Sequence, residues 1–322
     1  MQFRILGLVE GRDEQTGLRI LPTGAKQRAL LGALVVRAGH NVSAHRLIDE
    51  LWGHRPPANA ANALQVHVAR LRRLLSGADP QGGQPVRRPW IVTTAHGYAL
   101  QLPAVETDAV RFEQLTAQGR RVLLDDPGRA GELLHRALSL WRGPALEGSV
   151  LGDICAVEAA QLEERRLTAL EMKYDAYLRT GRHGEITGEL LELTADHPMR
   201  ETFYELLMVA FYRCGRQAEA LGVYARAHHH MRDELGVEPG PELRGLRERI
   251  LRQDPTLAAA PGPLLPAAPR TAPGRAADEA VLPFYQELAG LQHRIEQLQQ
   301  EQHRLLRRFD ALAASAARTT VG

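Results

Sequence analysis

The sequence is poor in cysteine and in long apolar runs, and each shortage narrows the class of protein. Only two cysteines, Cys155 and Cys214, occur among its 322 residues, too few for a disulfide framework or a cysteine-based zinc site. No apolar run approaches the roughly 20 residues of a membrane-spanning helix, and the first residues lack a signal-peptide pattern. We therefore expect a cytoplasmic protein with reduced thiols and no membrane partner.

Signatures of catalysis and of cofactor binding are missing as well. The chain contains no GxxxxGK[ST] phosphate-binding loop and no dinucleotide fingerprint. The run His228, His229 and His230 cannot converge on one metal ion, because consecutive residues of a helix point in different directions. Nothing in the sequence assembles an acid, a base and a nucleophile, so we expect no enzyme activity, no metal and no cofactor.

Charge is divided unevenly along the chain. Residues 1–103 hold 13 basic and 6 acidic residues, a net charge of +7, whereas residues 104–254 hold 20 and 26, a net charge of −6. The formal net charge of +2 for the whole chain conceals this division. The first part is therefore suited to a nucleic-acid partner and the second is not.

Residues 58–75 combine a basic face and an apolar face on one predicted helix. At 100° per residue, one stripe holds Ala60, Leu64, Val68, Leu71 and Leu75, and the opposite stripe holds Asn59, Asn62, Val66, Arg70 and Arg73. No acidic residue occurs between Glu50 and Asp79, so nothing on this helix repels a phosphate backbone. The pattern is typical of a DNA-reading helix, and the alternative is an ordinary amphipathic surface helix.

The neighbouring segments favour the DNA-reading interpretation. We predict a strand over residues 3–9, a helix over 26–37, and a second helix that Ser43 caps and that buries Leu47, Ile48, Leu51 and Trp52. The basic helix comes third, and residues 90–94 and 98–102 follow as a tight hairpin. Strands, three helices and a terminal hairpin predict a winged helix-turn-helix domain of the α+β type over residues 1–103.

The segments LPTGAKQRALLGALVVRAGH, LIDELWGHRPP, ANALQVHVARLRRLL and HGYAL resemble the OmpR-type winged-helix domain of SARP activators, the Streptomyces antibiotic regulatory proteins. Two later segments, LWRGPALEG and ELGVEPGPELRGLRERIL, resemble the bacterial transcriptional activation domain of the same family. The resemblance covers about residues 1–253. The sequence has no phosphate-binding loop of the nucleotide-binding module found in larger members. It implies the small form of a SARP activator.

The resemblance implies a sequence-specific activator that binds direct repeats near the −35 element of promoters and recruits RNA polymerase, through sigma and other subunits. It further implies control of secondary-metabolite genes. In this fold the third helix enters the major groove of double-stranded DNA, which assigns base reading to Asn62, Val66 and Arg70. Expected contacts with the DNA backbone come from Asn59, His67, Arg72 and Arg73 on the helix and from Arg87, Arg88 and His96 in the hairpin. A structural role for Arg72 remains open.

The loop between the second and third helices matches the part of the family that faces RNA polymerase. Its residues are Gly53, His54, Arg55, Pro56, Pro57 and Ala58. From the residues alone it is only a turn.

From Asp108 onward the sequence is mainly α-helical in pattern, and it repeats. Gly181-Arg182-x-x-Glu185 recurs as Gly215-Arg216-x-x-Glu219 at a spacing of 34 residues, the tetratricopeptide period. We therefore predict a tetratricopeptide-like domain over residues 108–253 that serves as an interaction or dimerisation surface. The alternative is a spacer.

The remaining residues predict a linker and a coiled coil. Residues 254–282 are rich in proline and alanine and read as a flexible linker. Residues 283–314 carry apolar residues at a 4-3 spacing, which predicts a coiled-coil helix and a homodimer. A single helix that folds back on the repeats is the alternative. Two rival functions stay open for the whole chain: a helical-repeat scaffold and a ligand-responsive regulator.

Overall fold

The computed structural model describes residues 1–13, 17–76, 90–101 and 107–258. These residues are mainly helical, as predicted, with two small sheets near the N-terminus. The strands are β1 (Gln2–Arg4), β2 (Glu10–Arg12), β3 (Arg19–Ile20), β4 (Val42–Ser43), β5 (Ile91–Thr93) and β6 (Gly97–Leu100). The helices are α1 (Ala25–Val36), α2 (Ala44–Trp52), α3 (Ala60–Ser76), α4 (Asp108–Val122), α5 (Pro127–Leu138), α6 (Asp153–Arg179), α7 (Thr187–Asp196), α8 (Glu201–Arg213), α9 (Gln217–Leu235) and α10 (Pro241–Leu251).

Several predicted features lie outside the described residues. They are Arg87 and Arg88, nearly all of the predicted linker 254–282, and the predicted coiled coil 283–314. Within the described ranges, no helix combines the length and the apolar character that crossing a bilayer requires.

The first sheet has the antiparallel order β1-β2-β3, with Phe3 opposite Gly11. The prediction of one strand over residues 3–9 was wrong, because the strand ends at Arg4. The backbone carbonyls of residues 5–7 instead accept hydrogen bonds from the amides of residues 146, 142 and 147. Gly7 has a φ of +126°, and a Cβ there would come within 3.1 Å of Arg142 Cβ. A long-range contact therefore interrupts the strand pattern.

The three N-terminal helices and the second sheet form the predicted winged-helix arrangement. Ser43 caps α2 as predicted, since its hydroxyl accepts the amide of Arg46 at 3.3 Å. The sheet order is β4-β6-β5, so the hairpin of β5 and β6 pairs with the strand that precedes α2. Gly97 permits this pairing, because a Cβ at that position would lie 2.0 Å from the carbonyl oxygen of Val42.

The helical region from α4 to α10 contains the repeated motif in two equivalent turns. Gly181 and Gly215 both have a φ of +77°, a left-handed conformation that favours glycine. Arg182 pairs with Glu185 and stacks on the ring of Tyr177, and Arg216 pairs with Glu219 and stacks on the ring of Phe211. The 34-residue spacing thus relates two helix ends of the same geometry.

The apolar core crosses the predicted boundary between residues 103 and 108. One buried cluster contains Phe3, Leu34 and Leu71 from the N-terminal part together with Leu146 and Leu162 from the helical region. A second cluster begins at Tyr174 and fills the region of α7 to α10. The N-terminal part is therefore packed directly on α4 to α6.

Candidate nucleic-acid interface

Helix α3 presents one face to the core and one face to solvent. Leu64, Val68, Leu71 and Leu75 are buried, as the periodicity predicted. On the opposite face Asn62, Val66, Arg70 and Arg73 are exposed, and Val66 keeps 48% of its surface accessible. Among the described residues no carboxylate pairs with Arg70 or Arg73, so both guanidinium groups remain available to an external anion.

The N-terminus of α3 is stabilised by Asn59. Its side-chain oxygen accepts the amide of Asn62 at 3.3 Å, the usual bond of a helix-capping asparagine. The side-chain nitrogen of Asn59 is not used in this bond. Capping and the predicted contact with the DNA backbone are therefore compatible.

Arg72 attaches α3 to the hairpin of β5 and β6. Its Nε donates to the carbonyl of Ile91 at 2.9 Å and its Nη2 donates to the hydroxyl of Thr93 at 2.8 Å. The guanidinium also lies 5.9 Å from the ring centre of Tyr98. These contacts support the structural role that the sequence left open for Arg72.

His67 lies on the other side of α3, against Trp52. The two rings are 5.8 Å apart, and the ammonium group of Lys26 lies over the same tryptophan at 5.0 Å. Burial lowers the pKa of His67, and the charges of Arg70 and Lys26 lower it further. The neutral imidazole is therefore favoured, and any phosphate contact by His67 relies on an N–H group.

Lys26 also lies near this face of α3, and the sequence analysis did not single it out. It lies in the first turn of α1, far from α3 in sequence, yet the fold brings its charge close enough to act on His67. No local pattern marks it, because its position depends on how α1 packs against α2 and α3. The one signal in the sequence is that Lys26 is a lysine in a chain whose basic residues are almost all arginines.

The hairpin of β5 and β6, which is the wing of this fold, is held by hydrogen bonds to Asn41 and to the start of α2. Ala44 donates its amide to the carbonyl of His96 at 3.0 Å, and Thr94 donates its hydroxyl to the side chain of Asn41 at 2.6 Å. The imidazole of His96 is exposed at the tip of the turn. The wing therefore keeps a defined position beside α3.

The loop from Gly53 to Ala58 is exposed along its whole length. Gly53 ends α2 with a φ of +54°, and two prolines follow within the loop. Fixed proline φ angles limit the freedom of this segment. His54 and Arg55 are thus presented on a restricted backbone.

A buried carboxylate joins α2 to the start of α6. Glu50 is 2% exposed, and it accepts the amides of Gly152 at 3.0 Å, Ile154 at 2.7 Å and Cys155 at 3.1 Å. These amides belong to the first turn of a helix, where backbone N–H groups lack partners within the helix and the helix dipole favours a negative charge. Glu50 therefore attaches the helix that supports α3 to the helical region.

A second buried network joins β1 and β2 to α4. Asp108 accepts the amides of Ile5 at 2.8 Å and Leu6 at 3.1 Å, and Arg142 donates to Asp108 at 3.0 Å and to Glu10 at 2.8 Å. Burial raises the pKa of Asp108, while the amides and the guanidinium oppose that rise. The network closes the interface on the side of the first sheet.

The histidines and cysteines offer no metal site within the described residues. His228, His229 and His230 each lie near a different carboxylate, that of Glu238, Asp233 and Glu234 respectively. Cys155 is buried and Cys214 is half-buried, and both are free thiols. Burial and the nearby Glu50 carboxylate raise the pKa of Cys155 above its usual range.

Two protein families match the chain in consecutive segments. Residues 19–98 match the family described as transcriptional regulatory protein, C terminal, and residues 107–251 match the bacterial transcriptional activator domain. The first match runs from β3 into β6, and the second includes α4 to α10. The two matches are consecutive and do not overlap.

Curated relatives extend over both segments. The transcriptional regulator RedD of Streptomyces coelicolor is 43% identical over 258 residues, which cover 80% of this chain and 72% of RedD. The regulatory protein DnrI of Streptomyces peucetius is 36% identical over 269 residues, which cover 83% and 98%. The regulatory protein AfsR of Streptomyces coelicolor is 42% identical, and the match covers 80% of this chain and only 25% of AfsR.

A solved structure has the same arrangement. Mycobacterium tuberculosis EmbR, in a complex with a low-affinity phosphopeptide, superimposes with a TM-score of 0.69 at 34% identity. The superposition covers 78% of this chain and 65% of the EmbR chain, so EmbR has further residues without a counterpart in the match.

Proposed function

This chain belongs to the SARP family of transcriptional activators, and we propose that it activates transcription by binding promoter DNA through α3. The observation that carries the proposal is the solvent-facing row of Asn62, Val66, Arg70 and Arg73, which contains no acidic residue and two arginines that form no ion pair with any described residue. A row of this kind fits the major groove, where an arginine reads guanine and an apolar side chain meets the thymine methyl group.

We assign a role to each residue of this row from the direction in which it projects from α3. Arg70, Val66 and Asn62 read base edges, and Arg73 and Asn59 contact the backbone. His67 and His96, together with Arg87 and Arg88 outside the described residues, add backbone contacts on either side. Lys26 joins them, because its charge lies beside α3.

Two arginine substitutions test the assignment. Arg70→Ala should cost about 1–3 kcal/mol on the cognate site and relax the preference at one base pair, whereas Arg73→Ala should weaken all sequences similarly. Arg121→Ala, which removes an exposed charge from α4, serves as the control. Equal losses on cognate and random DNA for both α3 variants would refute the division of roles.

Activation requires more than DNA binding, and the exposed loop from Gly53 to Ala58 is the proposed contact with RNA polymerase. Arg55→Ala should lower transcription in a purified system while leaving the affinity for DNA unchanged. If the affinity for DNA falls as much as transcription does, the loop contacts DNA and not RNA polymerase.

Two copies are proposed to occupy direct repeats near the −35 element. A nuclease footprint should show two protected segments about one helical turn apart. Diffuse, salt-sensitive protection would mean that α3 binds DNA without reading it. Dimer formation is assigned to the predicted coiled coil 283–314, so deletion of residues 283–322 should weaken cooperative occupancy and leave binding to one half-site unchanged.

The helical region is proposed to be a tetratricopeptide-like array that provides a protein-binding surface. The two equivalent turns at Gly181 and Gly215 support this proposal. The target genes are proposed to be those of a secondary-metabolite pathway, by the family resemblance. Such a protein works in the compartment that contains the chromosome, which agrees with the expected cytoplasmic location.

A further inference from the structure

A cleft of about 720 Å³ crosses the helical region on one face, and we call it the α8 cleft. It is lined by residues of α6, α8 and α10, and α8 contacts both of the other helices. With helices spaced 8–10 Å apart, three neighbours extend about 20 Å, which is the length of about six extended residues. The α8 cleft is therefore long enough for a segment of polypeptide.

The floor of the α8 cleft is apolar. It consists of side chains from all three helices and from the last described turn, namely Met172, Leu206, Val209, Leu246 and Leu257. Met172 and Val209 are only partly buried, so part of this floor faces solvent. Apolar side chains of a bound segment would cover it.

One end of the α8 cleft has an excess of carboxylates. Glu171 is paired with Arg200 at 2.5 Å, but Glu205 and Glu242 form no ion pair within the described part of the chain. Glu205 is half-buried, and both this burial and the charges of Glu201, Glu242 and Glu171 raise the pKa of its carboxyl group. An incoming cation would relieve this repulsion between like charges.

The arginines of the α8 cleft do not provide that cation. Arg213 donates to the carbonyls of Leu178 at 2.6 Å and Leu257 at 3.0 Å. It follows Glu205 by eight residues on α8, or about 12 Å along the helix. Arg179 is paired with Asp175 at 2.8 Å, and Arg249 is paired with Asp254 at 3.0 Å. Glu205 and Glu242 therefore lack a cationic partner within the described residues.

We propose that the α8 cleft binds an apolar segment of a partner protein that carries a lysine or an arginine, with the cation between Glu205 and Glu242 and the apolar side chains on Met172, Val209 and Leu246. The site is separate from α3 and from the loop at Gly53. The chemistry of this site specifies a protein partner, which the proposed DNA-binding function does not.

Peptide binding to the full-length protein without DNA tests the proposal. A library of eight-residue fluorescent peptides with varied apolar positions around one central lysine is compared with the same library carrying glutamate at the centre. Fluorescence anisotropy should show binding of the lysine set at least tenfold tighter than that of the glutamate set. Raised salt should weaken the lysine set, because the contact is electrostatic.

Two variants identify the site. Glu205→Gln and Glu242→Gln should each weaken the lysine peptides several-fold, whereas Glu248→Gln, an exposed carboxylate of α10 near Arg252, should not. Glu205→Gln removes a repelled charge, so it is expected to leave the protein folded and thermal melting verifies this. Equal binding of both sets, no binding, or binding unchanged in both variants would overturn the proposal. Equal affinity for free lysine methyl ester would also overturn it in favour of a small-molecule site.

Discussion

Replacement of Glu50 by glutamine tests whether one buried carboxylate attaches the winged-helix part to the helical region. Its two oxygens accept three amides from the start of α6, two at Oε1 and one at Oε2. Glutamine keeps the shape but has only one oxygen. Its amide nitrogen must face an N–H group that previously had an acceptor.

The cost follows from the hydrogen bonds. If the glutamine oxygen occupies the position of Oε1, the amide of Ile154 loses its acceptor, which costs about 1–3 kcal/mol for a buried donor. The bonds to Gly152 and Cys155 then lose their charge-assisted part, about 1 kcal/mol each. We expect Glu50→Gln to lower the free energy of unfolding by about 3–5 kcal/mol. For a unit of this size the loss corresponds to a fall in Tm of about 10 °C.

Urea denaturation followed by circular dichroism measures this loss. Asp49→Asn is the matched control, since Asp49 is 48% exposed and pairs with His45, which is 86% exposed. A surface pair of this kind contributes less than about 1 kcal/mol. A substitution at the start of α6 gives an independent check. A Cβ on Gly152 would lie 2.5 Å from Glu50 Cα, so Gly152→Ala should also destabilise the protein. A loss for Glu50→Gln no larger than that of Asp49→Asn would refute the reasoning.

Three further predictions concern α3 and the repeated turns. Arg72→Ala removes two hydrogen bonds to the hairpin and should cost about 1–2 kcal/mol by urea denaturation; an unchanged midpoint would contradict its structural role. By NMR, His67 should titrate below its ordinary pKa of 6.5, and Arg70→Ala should raise that pKa because a nearby positive charge is removed. Gly215→Ala, at a φ of +77°, should destabilise by about 1–2 kcal/mol, whereas Gly222→Ala, inside α9 with open space around it, should stabilise by about 0.5–1 kcal/mol. Equal signs for the two glycines would contradict the turn geometry.

Local patterns were sufficient to predict the elements around α3. Ser43 marks the start of α2 by its own hydroxyl, and the apolar stripe of α3 is set by residues three and four apart. The predicted hairpin is observed with shorter strands. These features depend on neighbours in sequence, so the sequence carries them.

Local patterns could not predict contacts between residues that are far apart in the sequence. Glu50 binds amides more than 100 positions away, and Gly7 breaks a strand because of the segment at Arg142. Arg72 lies only 19 residues from its acceptor, yet its direction depends on where the hairpin folds back. A basic helix therefore predicts that some arginines face outward, but packing decides which ones remain exposed.

The charge of the N-terminal part also differs between a count along the sequence and the positions of the charges in the structure. Counting gives residues 1–103 six acidic side chains that oppose binding to DNA. Two of them, Glu10 and Glu50, are only 1% and 2% exposed. Glu10 is compensated by Arg19 at 2.6 Å and Arg142 at 2.8 Å, and Glu50 is compensated by the positive end of α6. Because Glu50 uses backbone amides, it occupies no cation of α3. The carboxylates that hold this part in place therefore leave Arg70 and Arg73 free, and the same burial that fixes the helix keeps its exposed face positive.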